Sequence, residues 1–199
     1  MTDPRHPPGR NGFAIDVGAL MRGRLSVPNV NLVTRPTGRV VRQAIEGELA
    51  RAGSRVPVSV IDLTGVRVLD FSCADEVVAK LLLRYLPPER PGDIFFLLRA
   101  VEEVHGHAVG EVLARRGLAT VCDFGDGEFR LLGPATAEER AAWSVLERSE
   151  RIGAGSSESL LGAGGEALLQ RLCERRLAYR HRGGSASALS ALARLPSPR

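Results

Sequence analysis

Lysine is almost missing: Lys80 is the only one, and the other basic residues in a Lys+Arg total of 27 are arginines. That bias, with 22 Gly in 199 residues, reflects genome composition as readily as function, so the net charge of +4 does not by itself point to a polyanionic partner. Aromatics are scarce at 5%, which leaves the core to Leu, Val, Ile and Ala. Cys73, Cys122 and Cys173 are the only cysteines; they lie far apart and form no CxxC pair. An odd count at that spacing argues against a disulfide framework and a zinc ribbon, and the expectation is buried, reduced thiols. No apolar run approaches the ~18 residues of a membrane span. The polar start MTDPRHPPGRNG lacks the apolar stretch of a secretory leader, so a cytoplasmic chain with no membrane contact is expected.

What is present reads as a layered globular protein, with 44% apolar and 25% charged residues. Residues 1–55 and 134–199 are net basic and residues 56–133 net acidic, so the sign reverses twice, as two units with different surroundings would make it. Leu132-Gly133-Pro134 marks the seam. Strands are predicted where apolar residues alternate at Phe13, Ile15 and Val17, over 29–33 (NVNLV) and over 56–63, and a helix where Val41, Ile45 and Leu49 recur. A second helix is predicted over 72–86, with Ser72 at its cap and Asp75, Glu76 and Lys80 on its exposed side. The run DIFFLL (93–98) is continuously apolar after its leading Asp93, the pattern of a strand covered on both faces. A helix over 101–116 and a hairpin around Gly125-Asp126-Gly127 complete an α/β unit. Beyond residue 134, helices are predicted over 137–150, 158–162 and 166–176, with 152–157 as a flexible break and a strand pair around Gly183-Gly184.

Candidate chemistry is thin. His105-Gly106-His107 has no further ligand in sequence, so the pair is expected to face solvent. No G-x-S-x-G elbow accompanies any Ser-His-Asp set, and Gly125-Asp126-Gly127 lacks the strand-to-helix setting of a phosphate cradle. No enzyme, cofactor or metal is expected.

The order of features over 56–125 carries a resemblance. Val60-Ile61-Asp62-Leu63-Thr64-Gly65-Val66 is followed by Val68-Leu69-Asp70-Phe71-Ser72-Cys73-Ala74, then helix, apolar strand, helix, and Leu113-Ala114-Arg115-Arg116-Gly117-Leu118. This resembles the STAS domain of anti-sigma-factor antagonists and sulfate-transporter tails. The resemblance implies a sheet covered by helices over 13–133 that docks a signalling partner, an anti-sigma or kinase-like protein. The implied contacts are Asp62, Thr64, Asp70, Ser72, Asp75, Glu76 and Lys80. In the antagonists the residue after the motif Asp is a phosphorylated Ser or Thr; Phe71 stands there and takes no phosphoryl group. Ser72 matches the family's second Ser and is either a possible phosphorylation site or a helix cap. Asp62 and Asp70 are either contacts or turn caps.

A second resemblance covers 134–195. Leu168-Leu169-Gln170-Arg171-Leu172, then Leu177-Ala178-Tyr179-Arg180, a Gly-Gly turn and Ser187-Ala188-Leu189, is similar to the end of a winged helix-turn-helix unit. It implies a small, mainly α domain whose Arg171, Arg175, Arg176, Arg180 and Arg182 would meet phosphates if DNA is bound. Two readings stand: a protein-docking bacterial regulator, or a winged-helix transcription regulator with a STAS-like sensing or dimerisation part. Residues 1–12 and 196–199 are expected as tails.

Overall fold

In the computed structural model, residues 13–25, 31–52, 58–88, 90–99, 101 and 103–193 are described. Both predicted tails lie outside them, as do the first two residues of each of the strands predicted over 29–33 and 56–63. Four of the five strands of a mixed sheet are parallel: β1 (Phe13–Asp16), at one edge, β3 (Val58–Asp62), β5 (Phe95–Arg99) and β6 (Thr120–Asp123). The fifth, β7 (Phe129–Leu132), returns antiparallel to β6, so the order is β1-β3-β5-β6-β7. The hairpin around Gly125 is therefore present. Helices α1 (Val17–Leu25) and α2 (Arg35–Ala52) connect β1 to β3, and α5 (Glu103–Arg116) connects β5 to β6. A two-residue parallel ribbon, β2 (Asn31–Leu32) with β4 (Val68–Leu69), lies beside the sheet.

The helix between β4 and β5 starts as α3 (Phe71–Ala74), widens into a π turn over Asp75–Ala79, and resumes as α4 (Lys80–Arg84). It packs between α2 and α5. All five residues of the π turn are consequently buried, including Asp75 and Glu76. The prediction of an exposed acidic side fails here, because neighbouring helices cover both flanks of a face assigned to solvent.

Alternation along the strands divides the sheet between two cores. Ile61, Phe96, Leu98 and Cys122 pack with α1 to α5. Val58, Val60, Phe95, Leu97 and Val121 point to the other side, where Trp143, Leu146, Ile152, Leu169 and Leu172 cover them. That cover is the C-terminal part: α6 (Ala137–Ser149), β8 (Arg151–Ile152), α7 (Ser157–Leu161), α8 (Gly165–Glu174), β9 (Ala178–Arg180), β10 (Ala186–Ala188) and α9 (Leu189–Ala193). Its three strands form an antiparallel sheet in the order β8-β10-β9. The predicted flexible break at 152–157 is overturned, since Ile152 is a fully buried strand residue paired with Ala186.

The seam at 132–136 is a tight corner. Thr136 caps α6 in a capping box, its hydroxyl accepting from the Glu139 amide while the Glu139 carboxylate accepts from the Thr136 amide. Gly133 has φ +99°, and a Cβ there would stand 2.3 Å from the Leu118 carbonyl oxygen. Gly127 has φ +82° with open space around it. Gly127→Ala should therefore cost about 1 kcal/mol for the left-handed backbone alone. Gly133→Ala should cost roughly 2–3 kcal/mol, because the backbone must also shift. Parallel urea titrations check the difference; equal costs would mean that the corner has room.

Candidate functional site

The residues with predicted contact roles separate into three environments. At the C-terminal edge of the sheet, Asp62 accepts from the Thr64 amide at 2.9 Å and from its hydroxyl at 2.6 Å, forming a local turn. Asp62 belongs to a row in register across four strands, Asp16, Asp62, Arg99 and Asp123. Each outer carboxylate is engaged locally: Asp16 accepts from the Ala19 amide, and Asp123 from the Gly125 amide. The repeated charged residue at strand ends was visible in the sequence and was missed.

At the head of α3, Asp70 is the N-cap, accepting from the Cys73 amide at 2.8 Å. Ser72 lies inside the helix, and its hydroxyl donates to the Asp70 carboxylate at 2.9 Å. The cap assigned to Ser72 thus belongs to Asp70, two residues earlier. Cys73 is buried, its thiol donating to the Thr34 carbonyl oxygen, and burial together with the Asp70 charge pushes it up to about 11. Burial likewise pushes Cys173 up to about 11 and raises Cys122. None of the three is an activated nucleophile.

The third environment holds the acids of the π turn. Glu76, fully buried, lies 3.2 Å from Arg35 Nη1 and 3.5 Å from Arg42 Nη2, and it also pairs with Lys80. Asp75 is bound by Arg35 at 2.9 Å and by Arg116 at 2.9 Å. Burial pushes the Glu76 carboxyl up, but the Lys80, Arg35 and Arg42 charges outweigh it and hold it below its ordinary range. Burial also opposes ionisation of Asp75, and hydrogen bonds from Arg35 and Arg116 prevail in the same way. These carboxylates tie α2, the π turn and α5 together and offer nothing outward. Their placement as exposed contacts is corrected. Lys80 is half-exposed but committed to Glu76.

The acids lie inside, and cations and apolar groups remain at the surface. Between the start of α2, the start of α3 and the end of α5 runs an open groove lined by Arg35, Phe71, Ser72, Val112, Arg115 and Arg116, with the spanned Asp75 beneath. Phe71 is 45% exposed and meets the exposed His107 edge-on at 5.6 Å. His105, predicted to share that exposure, is fully buried, with Nε2 3.4 Å from the Arg67 carbonyl oxygen. Val33 and Val68 are 48% and 44% exposed. The register Asn31↔Val68 sets both valines on the outer side of the ribbon, opposite buried Leu32 and Leu69. Sequence reasoning missed Arg35, Arg115 and Arg116, because no local spacing announces that segments 40 residues apart share a groove.

Of the five arginines assigned to phosphate contact, three are tied inward. Arg175 reaches Glu139 at 2.5 Å and the Pro134 carbonyl oxygen, and Arg180 pairs with Glu166. Arg176 pairs with Asp93 at 2.6 Å, with its guanidinium 4.0 Å from the Phe95 ring centre. Only Arg171 and Arg182 of the set are exposed. Arg175 and Arg176 also close a cavity of about 70 Å³ between α4, β5 and β6, lined mostly by apolar residues such as Leu82, Ile94 and Phe96. Among the described residues, no group of three His, Cys, Asp or Glu side chains is placed to hold a metal ion. No described helix is long and apolar enough to cross a membrane. Comparison of the chain with protein-family models, curated proteins and solved structures returns no match.

Proposed function

We propose that this chain is a non-enzymatic regulatory protein that acts by being bound, through the surface around Phe71, to a signalling partner of the anti-sigma-factor kind. The observation that carries this reading is the exposure of Phe71, with Val33 and Val68 on the neighbouring ribbon. Among the described residues the other exposed large apolar side chains, Val40, Leu83 and Leu160, lie one each on α2, α4 and α7, whereas Phe71 and Val68 are three residues apart, and exposed apolar residues gathered in one region mark interaction sites. The STAS-like reading draws support from the order strand, helix, strand, helix, strand around Asp70 and from the parallel sheet. Its contact set changes: Phe71 replaces the buried Asp75 and Glu76, and Asp70 supports the surface as a cap. The reading requires no modification of Ser72.

Capture from a lysate of the source cells with wild type and Phe71→Ala tests it. Phe71→Ala should lower recovery of the specific partner about tenfold while changing stability by less than ~1 kcal/mol, as expected at a half-exposed position. Equal recovery would refute the docking role.

The alternative, DNA binding, is favoured by one observation: the succession α6-β8-α7-α8-β9-β10 with sheet order β8-β10-β9 is similar to a winged helix. Arg171 and Arg182 are the arginines left to meet phosphate. If DNA is the partner, a gel-shift series should show affinity falling steeply with salt, and Arg171→Ala with Arg182→Ala should flatten that slope by about two charges. Absence of binding to genomic fragments leaves the docking reading.

A further inference from the structure

The groove beside Phe71 has a polarity opposite to the one its sequence suggests. The segment that supplies all of its lining but Arg35 is net acidic, yet Asp75 is spanned by Arg35 and Arg116, and Glu76 is enclosed by Arg35, Arg42 and Lys80. Three guanidinium groups line the groove against one carboxylate that two of them already bind. Arg115 is exposed and has no ion pair among the described residues. Arg35 and Arg116 are a little under half exposed even while holding Asp75, so each keeps donors for an outside acceptor. The exposed ring of Phe71 lies among these charges above the buried Val112, and Val33 and Val68 are the exposed apolar residues of the neighbouring ribbon. Glu111, a turn before Arg115 on α5, is the nearest exposed acid on that helix and leaves the groove in cationic excess.

We infer that this groove takes an acidic segment of a partner protein, one that carries an aromatic or aliphatic side chain flanked by carboxylates. The inference rests on the docking reading and adds the chemistry of what docks. Apolar contact on Phe71 supplies affinity, and carboxylates meeting Arg115, Arg35 and Arg116 select the partner and speed its approach. A basic segment with the same apolar core is repelled, so the groove discriminates by charge.

The test uses the full chain and fluorescein-labelled peptides in an anisotropy titration at low and moderate salt. Four short peptides share one length: an acidic peptide with a central Phe-Leu, its lysine counterpart, its uncharged counterpart, and an acidic peptide with Phe-Leu replaced by Ser-Ser. The acidic Phe-Leu peptide should bind most tightly, at least about tenfold over each of the others, and should weaken with salt. Arg115→Glu should weaken it about tenfold, whereas Arg148→Glu, the same charge change at an exposed site on α6, should leave it within about twofold. Phe71→Ala should remove the advantage of Phe-Leu over Ser-Ser. Equal loss in Arg115→Glu and Arg148→Glu means attraction to net charge only and overturns the inference. Phe71-dependent binding of the uncharged or lysine peptide overturns the acidic partner and keeps the docking site. No binding by any of the four overturns both.

Discussion

A chain ending at Gly133 is expected to fail as a folded, soluble monomer. Removing the C-terminal part strips the cover from Val58, Val60, Phe95, Leu97, Val121 and Leu131, all buried in the complete protein. Exposing six such side chains forfeits roughly 10 kcal/mol at ~1.5–3 kcal/mol each, comparable to the ~5–15 kcal/mol that holds a domain together. The loss includes the Arg176 latch on Asp93 and Phe95, which crosses the same boundary. Size-exclusion chromatography and dye binding to exposed apolar surface should show aggregation or a loosened state for the truncated chain. A cooperative monomer with the full chain's stability per residue would mean that the sheet tolerates a bare face.

The second large effect is expected at Glu76. Glu76→Ala leaves the charges of Arg35, Arg42 and Lys80 without their shared buried partner and opens a void in the π turn. Breaking a buried pair from one side costs about 3–5 kcal/mol. For a chain of this size that lowers Tm by about 10 °C. Acid should reproduce part of the loss in the wild type. The Glu76 carboxyl is held below its ordinary 4.5 and that of Asp75 below its ordinary 3.8. Their stabilisation is therefore complete above about pH 4.5 and disappears as pH falls through the lowered values, where the folded state must take up protons it excludes. Glu76→Gln should be less stable than wild type near neutrality and should lose less on acidification. Thermal melts from neutral pH down to about pH 3 give the comparison; parallel curves for the two proteins would show that Glu76 is not the titrating tie.

Much of the architecture could be read directly from the residues. DIFFLL announced a strand covered on both faces, and the alternation of its side chains between two cores shows why no polar position interrupts it. The Gly-Asp-Gly turn and the helix after Asp70 were equally legible. The identity of the second cover was not, because Trp143, Leu146 and Leu172 have the spacing of an ordinary helical core whether they face one another or a sheet. The candidate site was half legible. Its motif located the right helix start, but Asp70 and Ser72 are both good caps, and local sequence does not choose between them. The burial of Asp75 and Glu76 depends on arginines about 35 to 40 residues away in either direction, beyond the range at which helical spacing carries information. Polar side chains were assigned to solvent, and the fold assigned them to one another.

The π turn has a consequence for insertions and deletions. A helix with one uniform pitch could not both wedge Asp75 and Glu76 between its neighbours and seat Leu81 and Tyr85 on the sheet beyond. The extra residue resets the phase between those two duties. Deleting one residue from Val77-Val78 would restore a regular spiral and leave Leu81 and Tyr85 near their present facing, because the wide turn holds one more residue than a regular turn at almost the same net rotation; inserting one would rotate everything after it by about 100° and swing Leu81 away from the core. That stretch should thus tolerate many apolar replacements of like size, and the loss of one residue better than the gain of one.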